Sequence, residues 1–213
     1  MLNNIFILDI GLGNVKSIAN AFSVLGHTTT LSCDKQALLN SAQGLVIPGV
    51  GAFSEGMKRI AQRDLIDTII TFANSGRPTL GICLGMQMLF DGSDEFGYCQ
   101  GLGLIPGQVQ KLPLPKGSKL PNIGWGRLKP NKAYKGSNSI VSEDIASQPF
   151  YFVHSYAAKP KDNSHTATYS DYCGVDFCST VNNNNIWGCQ YHPEKSGPNG
   201  LQLLKRFAQQ VVK

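Results

Sequence analysis

Residues 79–90 read Thr79-Leu80-Gly81-Ile82-Cys83-Leu84-Gly85-Met86-Gln87-Met88-Leu89-Phe90. TLGI (79–82) is a short apolar run, the pattern of a strand buried on both faces. The run after Cys83, LGMQMLF (84–90), reads as a helix. Between them Gly81-Ile82-Cys83-Leu84-Gly85 fits a G-x-nucleophile-x-G elbow, with Cys in the nucleophile position. Such an elbow needs a sharp strand-to-helix turn. The flanking glycines let the backbone turn without side-chain clashes, so the thiol stands exposed at the C-terminal edge of a sheet. The helix N-terminus behind it favours the thiolate and supplies N–H donors. With 23 Gly and 6 Cys in 213 residues, chance supplies roughly 0.07 such matches. The competing reading is a buried, inert thiol.

Working outward from this strand, the first 90 residues alternate strand and helix. IFILDI (5–10), TTTLS (28–32) and GLVI (44–47) read as strands. Asn14 caps a helix carrying Val15, Ile18, Ala19, Phe22 and Leu25 on one face, closed by Gly26. A helix follows from about Ser54, and another carries Leu65, Ile66, Ile69, Ile70 and Ala73 until Gly76 and Pro78 stop it. This alternation predicts an α/β fold: an open, mostly parallel, flavodoxin-like sheet flanked by helices. From about 105 to 191 the chain turns mainly β. Strands are expected at 108–112, 123–128, 151–156 (YFVHSY), 166–170, 175–181 and 186–192, with Asn182–Asn185 as a hairpin turn. A last helix is expected from about Asn199 to Val212. No linker or repeat interrupts the chain, so 1–213 is read as one domain.

Composition narrows the function. Only 15% of residues are charged and 42% are hydrophobic, which excludes a disordered chain. No stretch approaches the roughly 20 apolar residues of a membrane span. Met1–Asp9 lacks a basic n-region, and Asp9 interrupts its apolar run, so it is not read as a signal peptide. The expected compartment is the cytoplasm, and the six Cys are read as thiols rather than disulfides. The basic excess is local. Residues 111–135 hold seven Lys or Arg and no acid; +5 overall less +7 leaves −2 for the rest. That stretch is either a solvated edge or a face for an acidic or phosphorylated partner. No nucleic-acid motif accompanies it.

Two further elements complete a candidate site. In His192-Pro193-Glu194 the acid and the imidazole share a face if the segment is extended, which Pro193 favours. A carboxylate there would hold the ring and stabilise its cationic form while the other ring nitrogen takes a thiol proton. The bland alternative is a surface His beside a solvated acid. The loop Pro48-Gly49-Val50-Gly51-Ala52-Phe53 follows a strand at the same edge. An N–H from Val50 or Gly51, with that of Leu84, would make a two-donor oxyanion hole. Asp9–Lys16 is not a dinucleotide fingerprint, because Lys16 stands where the third Gly is needed. His154 reads as a satisfied core His or a group behind the site, while His27 and His165 give no signal.

GICLGMQMLF, YFVHSY and GCQYHPEKS, in this order, resemble the blocks of the class I glutamine amidotransferases. Within that family, DIGLGNVKSIANAF, VIPGVGAFSEGM and GLGLIPGQVQKL are most similar to the glutaminase subunits of imidazole glycerol phosphate synthases. The resemblance covers nearly the whole chain. It implies Cys83, His192 and Glu194 as a triad that hydrolyses glutamine to glutamate and ammonia without metal or organic cofactor. It further implies Gly49, Gln87, Ser155 and Tyr156 around the substrate, and Asn14, Trp125 and Lys195 at a partner interface. The implied partner is a (β/α)8-barrel synthase subunit that consumes the ammonia, in a heterodimer without nucleic acid or membrane. One block departs: the usual P-H-[MI]-G-W-N is here Pro121-Asn122-Ile123-Gly124-Trp125-Gly126. One alternative is a paralogous amidotransferase subunit supplying ammonia to a surface-polysaccharide sugar; an alternative of another class is a non-catalytic regulatory or binding module on the same scaffold. A stand-alone Cys hydrolase is a further alternative.

Overall fold

A computed structural model of the protein describes residues 4–136 and 140–211. Met1–Asn3 and Val212, parts of two expectations above, lie outside the described residues. The first half runs β1 (Asn4–Leu8), α1 (Val15–Val24), β2 (Thr28–Ser32), α2 (Lys35–Ser41), β3 (Gly44–Ile47), α3 (Phe53–Gln62), α4 (Ile66–Asn74) and β4 (Thr79–Ile82). The elbow leads into α5 (Leu84–Met88), β5 (Phe90–Ser93), β6 (Cys99–Gln100), β7 (Ile105–Lys111), β8 (Asn122–Arg127), β9 (Lys129–Pro130) and α6 (Glu143–Ala146). The rest is β10 (Pro149–His154), β11 (Tyr156–Pro160), β12 (Thr166–Tyr172), β13 (Val175–Asn183), β14 (Ile186–Cys189) and α7 (Gly197–Val211).

The main sheet has the order β2-β1-β3-β4-β14-β13-β12-β9. From β2 to β14 every pairing is parallel, and beyond β14 every pairing is antiparallel. The expected α/β class, parallel sheet first and β-rich half second, is what the chain forms. The parallel strands β3, β4 and β14 are buried at every position, as strands covered on both faces must be. Alternation sorts their side chains. Ile5 and Ile7 face a core shared with Phe22 of α1 and Phe207 of α7, while Phe6 and Leu8 face one shared with Ile60 of α3 and Ile69 of α4. No described helix is long and apolar enough to cross a membrane.

Strand order reverses between β1 and β3, so the loops after β1, β3 and β4 open at a topological switch point, where open α/β sheets bind ligands. β14 brings the second half to this edge. It lies parallel beside β4 with Cys189 opposite Ile82, so Cys83 and Gln190–Glu194 leave the sheet side by side.

The structure revises several local expectations. The helix after Cys83 stops at Met88, because Leu102 and Leu104 N–H groups bond the carbonyls of Met88 and Leu89 and draw Phe90 into a strand. YFVHSY is not one strand. Tyr151–His154 pair with β8, and after Ser155 the chain pairs with β7 in a different sheet. Asn183 pairs with Ile186, leaving Asn184-Asn185 as a two-residue turn with Asn184 at φ 53°, a conformation Asn tolerates. Asn14 stands at the start of α1 without a side-chain cap bond; its ψ of 59° departs from the extended backbone that aims a capping oxygen at the first turn. α2, which the pattern did not reveal, is capped by Asp34 accepting from Ala37 N–H at 2.6 Å.

Close approach explains the elbow glycines. A Cβ on Gly85 would lie 1.7 Å from the Ile47 carbonyl oxygen of β3, and one on Gly81 would lie 2.6 Å from Met86 N. Both neighbours are backbone and cannot step aside. Gly85→Ala should therefore cost more than about 4 kcal/mol and yield little folded protein. Gly26→Ala, at φ 80° in open space, should cost only about 1–2 kcal/mol. Thermal unfolding of the two variants checks this, and comparable losses would disprove it.

Candidate active site

Cys83 sits at φ 54° and ψ −111°, a region that costs a non-Gly residue about 1–3 kcal/mol and persists only where its surroundings over-determine it. Here they do. Its N–H donates to Cys189 O of β14 at 2.8 Å, and its carbonyl accepts from Gln87 N at 3.1 Å. The strained turn lifts the side chain out of the sheet into a cleft of about 310 Å³. In the protonated state the thiol donates to Val153 O at 3.9 Å.

His192 and Glu194 meet as the sequence pattern suggested, though on a single 3-10 turn (Pro193–Lys195) rather than on an extended strand. His192 Nδ1 donates to Glu194 Oε1 at 2.8 Å, with both side chains almost fully buried. His192 Nε2 has no hydrogen-bond partner, so Cys83 acts on it as a close neighbour rather than through a closed bond. Burial opposes a charge on this ring. Cys83 and Glu194 outweigh that and raise its pKa, to about 10. The imidazolium is thus the favoured state beside the Cys83 thiolate, the condition a thiolate–imidazolium pair requires. Gly200 lets α7 approach this turn: a Cβ there would lie 1.8 Å from Pro193 O.

Val50, Gly51, Leu84, Gln87, Ser155 and Tyr156 line the same cleft as Cys83. Gly49 lies beneath it, packed on the Leu84 side chain. One of the expected oxyanion donors, however, is engaged within the chain. Leu84 N–H is turned onto Gly49 O at 3.3 Å, so this donor is occupied by the very loop meant to supply the second one. Gln87 also departs from a plain substrate contact. Its amide nitrogen is taken by Tyr156 O (2.9 Å) and Gln190 Oε1 (3.0 Å), which leaves only its oxygen for the cleft. Pattern reading missed Glu95, the acidic residue of the cleft wall. It sits in the β5–β6 turn and accepts from Phe53 N–H at the start of α3 at 2.8 Å. No local motif announces it; its place in the cleft wall comes from the turn between β5 and β6.

Two larger clefts lack this chemistry. One, about 680 Å³, opens at the opposite edge around Arg77, Pro78 and Asn185. The other, about 490 Å³, reaches Cys178, whose thiol burial pushes up to about 12.

The three residues assigned to a partner interface fall at the same end of the molecule. Asn14 is exposed on the β1–α1 turn. Trp125 is 60% exposed and packs edge-on against Tyr151 at 5.9 Å, and Lys195 Nζ lies over the other part of this cluster, 5.8 Å from the Tyr151 ring. Ile123, Trp125 and Arg127 alternate along one open face of β8.

Residues 6–211 match the family model described as glutamine amidotransferase class-I. The chain belongs to the class I glutamine amidotransferases. Imidazole glycerol phosphate synthase subunit HisH of Lacticaseibacillus casei (strain BL23) is 45% identical over 208 residues, covering 95% of this chain and 94% of that one. The same subunit of Desulfitobacterium hafniense (strain DSM 10664 / DCB-2) is 42% identical over 205 residues, covering 96% and 93%. A solved glutamine amidotransferase structure aligns with a TM-score of 0.74 at 15% identity, over 98% of this chain and 99% of that one. PurLQS from Thermotoga maritima aligns with a TM-score of 0.72 at 18% identity, over 100% and 98%. At such identities these two show the shared fold.

In this amidotransferase the departing block points inward at both altered positions. Asn122 is buried and its amide donates to His154 Nε2 at 3.1 Å. At Gly126 a Cβ would lie 3.0 Å from the Phe152 ring. The open face of β8 is untouched by either change.

His154 is a satisfied core histidine that also borders the cleft. Its Nδ1–H donates to Tyr156 O at 2.9 Å and its Nε2 accepts from Asn122. Burial lowers its pKa to about 4, with the Tyr156 carbonyl pulling up and the His192 charge pushing further down. Between about pH 4 and 6.5 the unfolded chain therefore holds the extra proton, and stability falls as pH falls through that window. The shift corresponds to about 3 kcal/mol at most. His154→Gln, neutral throughout, should lose less stability than the parent between pH 6.5 and 4.5 in urea unfolding. Parallel pH profiles for the two proteins would rule this out.

Proposed function

We propose that this chain is the glutaminase subunit of an imidazole glycerol phosphate synthase, hydrolysing glutamine to glutamate and ammonia for a synthase subunit in histidine biosynthesis. The observation that carries the reading is the buried His192–Glu194 pair beside Cys83 at one sheet edge, in a chain more than 40% identical to HisH subunits along nearly its whole length. Such a subunit works in the cytoplasm, in keeping with six free thiols.

In this mechanism Cys83 thiolate attacks the side-chain amide carbon of glutamine. The C–N bond then breaks, His192 Nε2–H protonates the departing nitrogen, and ammonia leaves a thioester on Cys83. Water adds to the thioester, giving a proton back to His192, and the thiolate departs as glutamate forms. Glu194 holds the ring through Nδ1. Glu95 offers the cleft a carboxylate for the α-ammonium of the substrate, and Ser155, Tyr156 and the Gln87 oxygen shape the rest of the wall. The oxyanion of each tetrahedral intermediate takes the Leu84 N–H and one from Val50 or Gly51. Since Leu84 N–H bonds Gly49 O, the 49–51 loop must first turn that carbonyl away. A barrel partner docked on Asn14, Trp125 and Lys195 would bias the loop towards the open arrangement, so the isolated chain should turn over slowly.

The test is Cys83→Ala in complex with the synthase subunit. Glutamine-dependent product formation should fall by at least about 10³-fold, while synthesis from added ammonia stays within about twofold of the parent. A Cys83→Ala complex that keeps its glutamine-dependent rate refutes the assignment. For the interface, Trp125→Ala should weaken association by about 2 kcal/mol, roughly 30-fold in Kd, with unchanged thermal stability. An unaltered Kd by titration calorimetry would remove Trp125 from the docking surface.

A further inference from the structure

Gln190 lies between β14 and His192, fully buried, with no part in the steps above. A buried amide is retained where its hydrogen bonds are made, and Gln190 makes two. Its Oε1 accepts from Gln87 Nε2 at 3.0 Å, and its Nε2 donates to Cys83 Sγ at 3.8 Å, a long N–H···S contact.

One peptide group sets the sense of both amides. Tyr156 O is an acceptor only, so the Gln87 atom 2.9 Å from it is the amide nitrogen. That nitrogen also faces Gln190, which must answer with its oxygen. The Gln190 NH2 is thereby turned onto Cys83. His154 Nδ1–H occupies the same Tyr156 carbonyl from the other side, which holds the reference group in place. Reversing the Gln190 amide would set two NH2 groups against each other and face its oxygen to the sulfur.

We propose that Gln190 stabilises the Cys83 thiolate, acting directly on the reacting sulfur alongside His192. This rests on Cys83 being the nucleophile. With the thiol protonated, Sγ donates to Val153 O and gains little from Gln190. When the S–H bond breaks, the proton passes to His192 Nε2, the bond to Val153 is lost, and the N–H of Gln190 becomes a donor to an anion, where such bonds are strongest. The contact thus favours the ionised state over the neutral one.

The experiment follows alkylation of Cys83 in the full chain by iodoacetamide between pH 5 and 9, reading the Cys83 peptide by mass spectrometry. Gln190→Met keeps the length of the side chain and removes both polar atoms. Gln190→Leu likewise removes both polar atoms and adds no charge, and it serves where the Met variant fails to fold. In either, the pH of half-maximal rate should rise by about one unit, so that well below that pH the rate drops about tenfold. A folded variant with the parent's pH profile, whatever its melting temperature, overturns the proposal. If Cys83 of the parent chain reacts no faster at pH 7 than the exposed Cys33, the nucleophile reading itself fails, and this one with it.

Discussion

The crossing of α5 over the backbone of β3, with Gly85 against the Ile47 carbonyl, constrains the rest of the molecule. Only a residue without Cβ fits that contact, so the chain leaving β4 turns at one place, and Cys83 takes up the backbone strain of the turn. The strain is supported by Cys189, whose carbonyl holds the Cys83 N–H. That bond is also the first step in delivering the histidine, since Cys189 ends β14 and His192 follows three residues on. Cys83 and His192 are therefore placed by a single strand pairing, β4 with β14. Drift of that pairing would displace both and release the support of the strained turn.

What the sequence made legible was what is local. The glycine-flanked Cys83, the His192/Glu194 spacing and the Gly49–Gly51 loop each carry their geometry in a few consecutive residues. The alternation of buried runs and amphipathic segments similarly exposed the parallel half of the sheet. What escaped was decided by distant partners. YFVHSY reads as one run although the chain changes sheets at Ser155, because the break is set by separate partners, β8 before it and β7 after it. Nothing within 84–90 stops the helix at Met88; the hydrogen bonds from Leu102 and Leu104 do. Glu95 and Gln190 were invisible for the same reason. One enters the cleft from a turn, and the other acquires meaning only from Gln87 and Tyr156.

The basic stretch 111–135 illustrates the limit of reading charge along a chain. Its members are dispersed over several elements, and two are engaged within the molecule. Lys129 pairs with Asp176 at 2.9 Å, and Arg127 donates to Ser147 O at 2.9 Å. Exposed pairs of this kind are worth little in stability, but they lower the charge that the stretch presents. What the fold does gather is apolar: Ile123 and Trp125, each about 60% exposed on the open face of β8, next to Tyr151 and Lys195. A docking surface here is better described as an aromatic anchor with a charged rim than as a basic patch.

The same geometry removes an argument against the histidine-pathway reading. Asn122 and Gly126 differ from the family's usual block, and on sequence alone they leave open which partner the chain serves. Folded, both face inward. Asn122 serves His154, and Gly126 makes room for Phe152. A partner seated on Ile123 and Trp125 would meet neither. The change is transmitted instead towards the cleft, because His154 bonds the Tyr156 carbonyl from which Gln87 and Gln190 take their orientation. Variation in this block therefore acts on the support of the Cys83 cleft, and leaves the open face of β8 as it was.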